Sequence, residues 1–396
     1  MKSEWQACTI GELCDSVSVT YRGEDERVVL VNTSDVLNGK VLNHTDEPNQ
    51  NLKGQFKKTF KKNDILYSEI RPANRRFAYI DFDETEKYIA STKLMVIRYR
   101  ENVVEPRFLY FLLTSNDVIG ELQRLAETRS GTFPQITFPA EVATLPVNLP
   151  PLHIQQKIAS ILSALDEKID TNNAICRNLE EQARALYELW LSKRKNECEW
   201  LSLEAIADLN PEAYSTKEKW GYINYLDTGN ITDGVISSIQ KIDLEQDELP
   251  SRARRKVKAG DVVFSTVRPN QRHFGILHSP MPNMLVSTGF TVIRSNKTDI
   301  SNELIYLLLS DSSFVEKMQQ IGEQSVSAYP SVKPTDIATC LIPFLGTKDY
   351  RQMQNVICSM FSQIAALQSE SRNLSQARDT LLPKLMSGEL SVESIN

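Results

Sequence analysis

Cysteine is scarce in this 396-residue chain and scattered where it occurs (Cys8, Cys14, Cys176, Cys198, Cys340, Cys358), with no CxxC pair and no cysteine–histidine cluster. That spacing argues against a disulfide framework and a structural zinc site, so no metal ligands are assigned and a reducing compartment is expected. Long apolar runs are missing too: none approaches the roughly 18 residues of a membrane span, and the start, "MKSEWQACTIGELCDSV", lacks the apolar region of a signal peptide. The expectation is a cytoplasmic chain with no membrane association. There are four histidines (His44, His153, His273, His278), none with a recognisable nucleophile or ligand partner, and no P-loop, no GxGxxG and no Asn/Asp-Pro-Pro-aromatic motif. Asp166-Glu167-Lys168 resembles a nuclease fragment but reads as a solvated face of a long helix. No catalytic residue is assigned.

What is present is written twice. "DILYSEIRPANRRFAYI" (residues 64–80) returns 197 residues later as "DVVFSTVRPNQRHFGIL" (261–277). Trp5 matches Trp200, "TSDVLNGKVL" from Thr33 matches "TGNITDGVIS" from Thr228, "STKLMVIR" from Ser91 matches "STGFTVIR" from Ser287, and Tyr110 matches Tyr306, all at offsets of 195–197. This period far exceeds that of a solenoid, so each copy is able to bury its own core. Within a copy, short β-branched runs such as "VVLVN", "KLMVIRY" and "FGILHS" predict strands, and residues 105–126 and 301–321 predict helices by apolar recurrence at three and four residues. Each copy is an α+β lobe with an internal helical pair.

After each lobe comes a seam. Ile158, Leu162, Leu165, Ile169, Asn172, Cys176, Leu179, Ala183, Leu186 and Trp190 alternate steps of four and three, the pattern of a heptad. Adding 195 gives Met353, Ile357, Met360, Ile364, Leu367, Ser371, Leu374, Arg378 and Leu381, which predicts the same register in the second copy. A helix of roughly 36 residues is about 54 Å long, too long to lie across a small lobe, so its natural companion is the other copy's helix.

Positive charge is concentrated at matching places although the net charge is −6. Residues 53–79 carry Lys53, Lys57, Lys58, Lys61, Lys62, Arg71, Arg75 and Arg76 against Asp64 and Glu69; residues 251–275 carry Arg252, Arg254, Arg255, Lys256, Lys258, Arg268 and Arg272 against Asp261. Lysines suit phosphates, whereas an arginine fork addresses guanine and an amide such as Asn74 or Gln271 addresses adenine. With His273, these are the candidate DNA-binding residues. A second candidate surface is the small, hydroxyl-rich turn before each helix, "TRSGTFPQIT" and "EQSVSAYPSV", offering Arg129, Thr132 and Tyr329. Solvated basic turns and ordinary loop chemistry are the competing readings.

"LPPLHIQQKIASILSALDEKIDTNNAICRNLEEQARAL" and "RNLSQARDTLLPKLMSGEL" resemble the helical spacers of type I restriction-modification specificity subunits, most specifically in Pro150, Pro151, Leu152, Gln155, Gln156 and in residues 381–390. The resemblance implies an α+β chain of two target recognition domains (1–150 and 197–345) separated by a central spacer (151–196) and a C-terminal spacer (346–390). The spacers would pair as an antiparallel coiled coil with pseudo-two-fold symmetry. It further implies a subunit without its own chemistry that reads a bipartite, asymmetric site on double-stranded DNA and docks two modification subunits and the restriction subunits. S-adenosylmethionine, ATP and magnesium would then sit on those partners. One departure stands out: Phe344, Leu345, Gly346 and Thr347 replace the Pro-Leu and glutamine contacts expected at the second junction. A methyltransferase-only or type IIB-like system, or a coiled-coil adaptor that binds no DNA, are the alternatives.

Overall fold

A computed structural model describes residues 5–50, 54–129, 133–324 and 330–392. It divides into two compact units, residues 1–169 with 372–396, and residues 170–371.

Each unit holds a lobe of two four-stranded sheets. In the first lobe, Cys14–Val17, Leu94–Tyr99, Ile65–Ser68 and Phe77–Tyr79 lie side by side in that order, all antiparallel, with Ile65 opposite Ile97. The other sheet runs Glu47–Pro48, Arg27–Val31, Tyr88–Ser91, Phe56–Lys58 and contains one parallel pair, Arg27–Val31 with Tyr88–Ser91. The second lobe repeats the plan: Ala207–Leu209, Phe290–Ser295, Asp261–Ser265, Phe274–Leu277 in one sheet, with Val262 opposite Ile293. Its other sheet is Gln240–Asp243, Tyr222–Leu226, Met284–Ser287, Ala253–Lys256, again with one parallel pair. Strands buried on both faces read as unbroken apolar runs rather than alternations, and every residue of Ile65–Ser68 and of Asp261–Ser265 is buried.

The predicted helical pairs are present as Pro106–Leu113 with Asn116–Arg129, and Asn302–Leu309 with Ser312–Glu323. Each first helix is capped by a side chain on the expected amide: Glu105 accepts from Phe108 N (2.5 Å) and Ser301 from Leu304 N (3.2 Å).

The two seams form long helices, Leu152–Arg194 and Lys348–Met386. Within the second unit they pair antiparallel: Asn172 Nδ2 donates to Glu370 (2.8 Å), the Cys176 thiol faces Ile364 O (3.8 Å), and Trp190 packs on Tyr350 with ring centroids 5.2 Å apart. Within the first unit, Arg378 Nη1 binds Asp166 at 2.7 Å. Ile158, Leu162, Met353, Ile357 and Ile364 are buried, while Leu165, Ile169, Leu179, Leu186, Met360, Leu367, Leu374 and Leu381 are half-buried.

Two expectations about the junctions need correction. The glutamine contact is kept in the second copy: Gln155 accepts from Glu105 N and donates to Pro150 O (2.9 and 2.8 Å), and Gln354 accepts from Ser301 N and donates to Asp299 O (2.9 and 2.7 Å). The helices therefore correspond at an offset of 199, not 195. Proline lacks an amide hydrogen and restricts the residue before it, so Pro150-Pro151 stops the first helix from beginning earlier. Gly346-Thr347 imposes no such stop, and the second helix carries nearly one extra turn before its glutamine, burying Tyr350 against Trp190 and Phe344.

Candidate nucleic-acid interface

In each lobe the arginine motif is the connection of a β-hairpin whose second strand lies at a sheet edge. Residues 72–74 and 269–271 make one turn of 3₁₀ helix, started by proline and flanked by arginines in the left-handed region: Arg71 (φ 46°) and Arg75 (φ 52°), Arg268 (φ 48°) and Arg272 (φ 56°). A non-glycine residue pays about 1–2 kcal/mol for that conformation. Four arginines adopt it at equivalent places, which marks the turn as held by its surroundings.

Those surroundings are duplicated. Arg71 N donates to Pro134 O (3.1 Å) and Arg268 N to Pro330 O (2.9 Å); Arg75 N returns to Pro72 O (3.0 Å) and Arg272 N to Pro269 O (2.9 Å). The amide left over in the turn, Ala73 N or Asn270 N, donates to a glutamine on the neighbouring helix, Gln123 at 3.1 Å or Gln319 at 3.2 Å. Neither glutamine was picked out from the sequence, although their offset of 196 was available as a signal.

The structure brings together Arg71, Asn74, Arg75 and Arg76 in one lobe, and Arg268, Gln271, Arg272 and His273 in the other. Arg71, Asn74 and Gln271 are exposed. Arg75 is hydrogen-bonded to Asn116, and Arg76 donates to Ser34 O (2.9 Å). Arg272 binds Asp233 (2.5 Å) and Ser310 O (3.3 Å), and the His273 ring contacts Ile231 O at 2.7 Å. These partners fix where the guanidinium groups of Arg75, Arg76 and Arg272 and the His273 ring sit.

The remaining basic candidates lie elsewhere. Lys57 and Lys58, and Arg254, Arg255 and Lys256, belong to the edge strand of the other sheet, with Arg252 just before it. Lys57, Lys61 and Arg252 are exposed; Lys62 pairs with Asp83 at 2.8 Å. Lys58 points inward, donating to Thr92 O (3.0 Å) and Leu94 O (2.8 Å), and burial lowers its pKa. Arg254 donates to Ala253 O (3.0 Å), Arg255 is half-buried with its pKa lowered by burial, and Lys256 pairs with Glu218 beneath the Trp220 ring. In the hydroxyl-rich turns, Arg129 is held by Glu141 (3.0 Å); Thr132 and Tyr329 fall outside the described residues. Among the described residues no cluster of histidine, cysteine and acid is arranged to hold a metal, and no helix is long and apolar enough to cross a membrane.

Comparison with known proteins defines the class first: residues 2–181 match the family model of the type I restriction modification DNA specificity domain. Over nearly its whole length the chain is similar to specificity subunits of type I restriction-modification systems. It is 28% identical to the type I restriction enzyme HindI specificity subunit of Haemophilus influenzae, over 98% of this chain and 100% of that one. It is 22% identical to the MjaVIII specificity subunit of Methanocaldococcus jannaschii, over 78% and 76% of the two chains. The crystal structure of a type I system S subunit from M. genitalium shares the fold, with 16% identity, a TM-score of 0.53 and 96% of each chain covered.

Proposed function

We propose that this chain reads a bipartite, asymmetric site on double-stranded DNA, each lobe addressing one half through its arginine turn. The observation that carries this reading is the strained turn built twice, once in each lobe, with the same backbone contacts. A fork held at a fixed place is what direct readout needs, because a bidentate base contact discriminates only when its donors are aligned. Exposed lysines on and just after the edge strand of the lobe's other sheet, Lys57 and Lys61, serve phosphates.

The chain supplies address and docking surface rather than chemistry. Two modification subunits bring S-adenosylmethionine and transfer the methyl group, and restriction subunits bring ATP- and magnesium-dependent cleavage. The net charge of −6 supports a division of labour in which the partners complete the grip on DNA.

The test is methylation mapping in cells that express the chain with its modification subunits. Arg71→Ala with Arg75→Ala should relax base preference in one half of the site, and Arg268→Ala with Arg272→Ala in the other. Relaxation of the same half by both pairs, or no change from either, would refute the assignment.

A further inference from the structure

We infer that Gln123 and Gln319 are positioning residues for DNA reading, each locking the arginine turn of its own lobe. The inference rests on the reading of the turns proposed above. It concerns residues on a different element, the second helix of each internal pair.

The turn has one amide its own backbone leaves unpaired. Asn74 N and Arg75 N bond back within the turn, as do Gln271 N and Arg272 N, and the first residue is proline and has no amide hydrogen. The amide of Ala73, or of Asn270, remains, and the glutamine Oε1 takes it. The other end of each glutamine is fixed as well: Gln123 Nε2 donates to Glu127 at 2.7 Å and Gln319 Nε2 to Glu323 at 2.9 Å, one helical turn along. A carboxylate accepts and cannot donate, so it forces the Nε2 end toward itself and leaves Oε1 facing the turn.

Surface composition alone does not account for this pair. Between residues 116–127 and 312–323 the other polar positions diverge, Glu121 standing against Lys317 and Arg124 against Gln320, while Gln and Glu recur at both places. A glutamate beside a DNA-reading turn is electrostatically adverse, which speaks for an orienting role. Left-handed arginines relax toward ordinary conformations unless the segment between them is pinned. The glutamine supplies the pin from a rigid helix, as a site that tolerates about half an ångström of misplacement requires.

The test uses the complex assembled with modification subunits and duplexes that carry single base-pair changes in either half of the mapped site. Gln123→Met keeps the side chain's length and removes its hydrogen bonds. Discrimination in the first lobe's half should fall roughly tenfold, the scale of one misplaced bidentate contact, with the other half intact; Gln319→Met should do the converse. The exchange Q123E/E127Q places a carboxylate against the turn and an amide donor beside it, and should restore stringency. Unchanged stringency in Q123M, equal loss in both halves, or no restoration by the exchange each overturns the inference. Should Q123M fail to fold, E127A is read in its place, with the same loss expected and unchanged stringency again counting against. If Arg71→Ala with Arg75→Ala is also silent, the reading of the turns falls too; if that pair relaxes the half and Q123M does not, only the clamp is wrong.

Discussion

Arg98 binds Asp64 through two parallel hydrogen bonds, Nε at 2.8 Å and Nη2 at 2.7 Å, tying together neighbouring strands of the sheet from which the first arginine turn projects. Asp64 is fully buried, also accepts Lys61 N (2.8 Å), and has its counterpart in Asp261, held the same way by Arg294 at 2.7 and 2.8 Å. Removing one member of such a pair strands the other. Asp64→Ala should cost about 3 kcal/mol, the low end for a buried pair because Arg98 keeps 27% of its side chain exposed. Urea denaturation checks this, and a loss under about 1 kcal/mol would show that the pair is replaceable by water.

Neighbouring lysines should behave oppositely. Lys58→Met leaves two backbone carbonyls without their donor, so it should cost about 2 kcal/mol of stability and leave the salt dependence of DNA binding by the complex unchanged. Lys57→Met, at an exposed position, should leave stability alone and lower the slope of log K against log salt by roughly 1. Salt titrations of the two complexes separate these outcomes.

At the second junction, Gln354→Leu should destabilise by about 1 kcal/mol, since the part-buried Ser301 N and Asp299 O both lose the buried glutamine as partner. If the junction lacked the glutamine contact, as its sequence suggests, the substitution would be neutral. Thermal melting decides.

Acid should loosen the second lobe through Glu212. Lys258 and Arg294 hold its carboxyl down at about 2. A carboxylate depressed in the fold contributes stability above its unfolded pKa of about 4.3 and loses it as pH falls toward 2. Wild type should exceed Glu212→Gln in melting temperature at pH 6, with the difference shrinking below pH 4 and, because the group is solvent-facing, in high salt. A difference that grows on acidification would reverse the assigned sign.

The duplication, the strand-rich lobes and the long helices were legible because each is a pattern repeated over many residues. The helix register was not. A heptad steps by four and three, so near the junction sliding one seam along the other by a helical turn again sets apolar residues on apolar residues: Ile158 falls on Met353 at an offset of 195 and on Ile357 at 199, and all three are buried. Only a polar side chain with a unique partner, Gln155 or Gln354, breaks the tie. Likewise the arginines were visible as charge, but their left-handed backbone was not, since nothing in Arg-Pro-Ala-Asn-Arg forbids an ordinary turn. The edge-strand basics were overcounted because composition does not tell an outward lysine from one, like Lys58, that satisfies carbonyls beneath it.

The extra turn before Gln354 makes the two lobes unequal as interchangeable cassettes. Three added residues advance a helix by about 4.5 Å and rotate it by roughly 300°. A first-type lobe spliced into the second slot ahead of Lys348 would meet a glutamine carried past its cap, and would need Pro150, Pro151 and the first helical turn moved with it. Productive shuffling of recognition specificities in this chain therefore favours cuts inside the helices, beyond Gln155 or Gln354, over cuts at the visible boundary between lobe and helix.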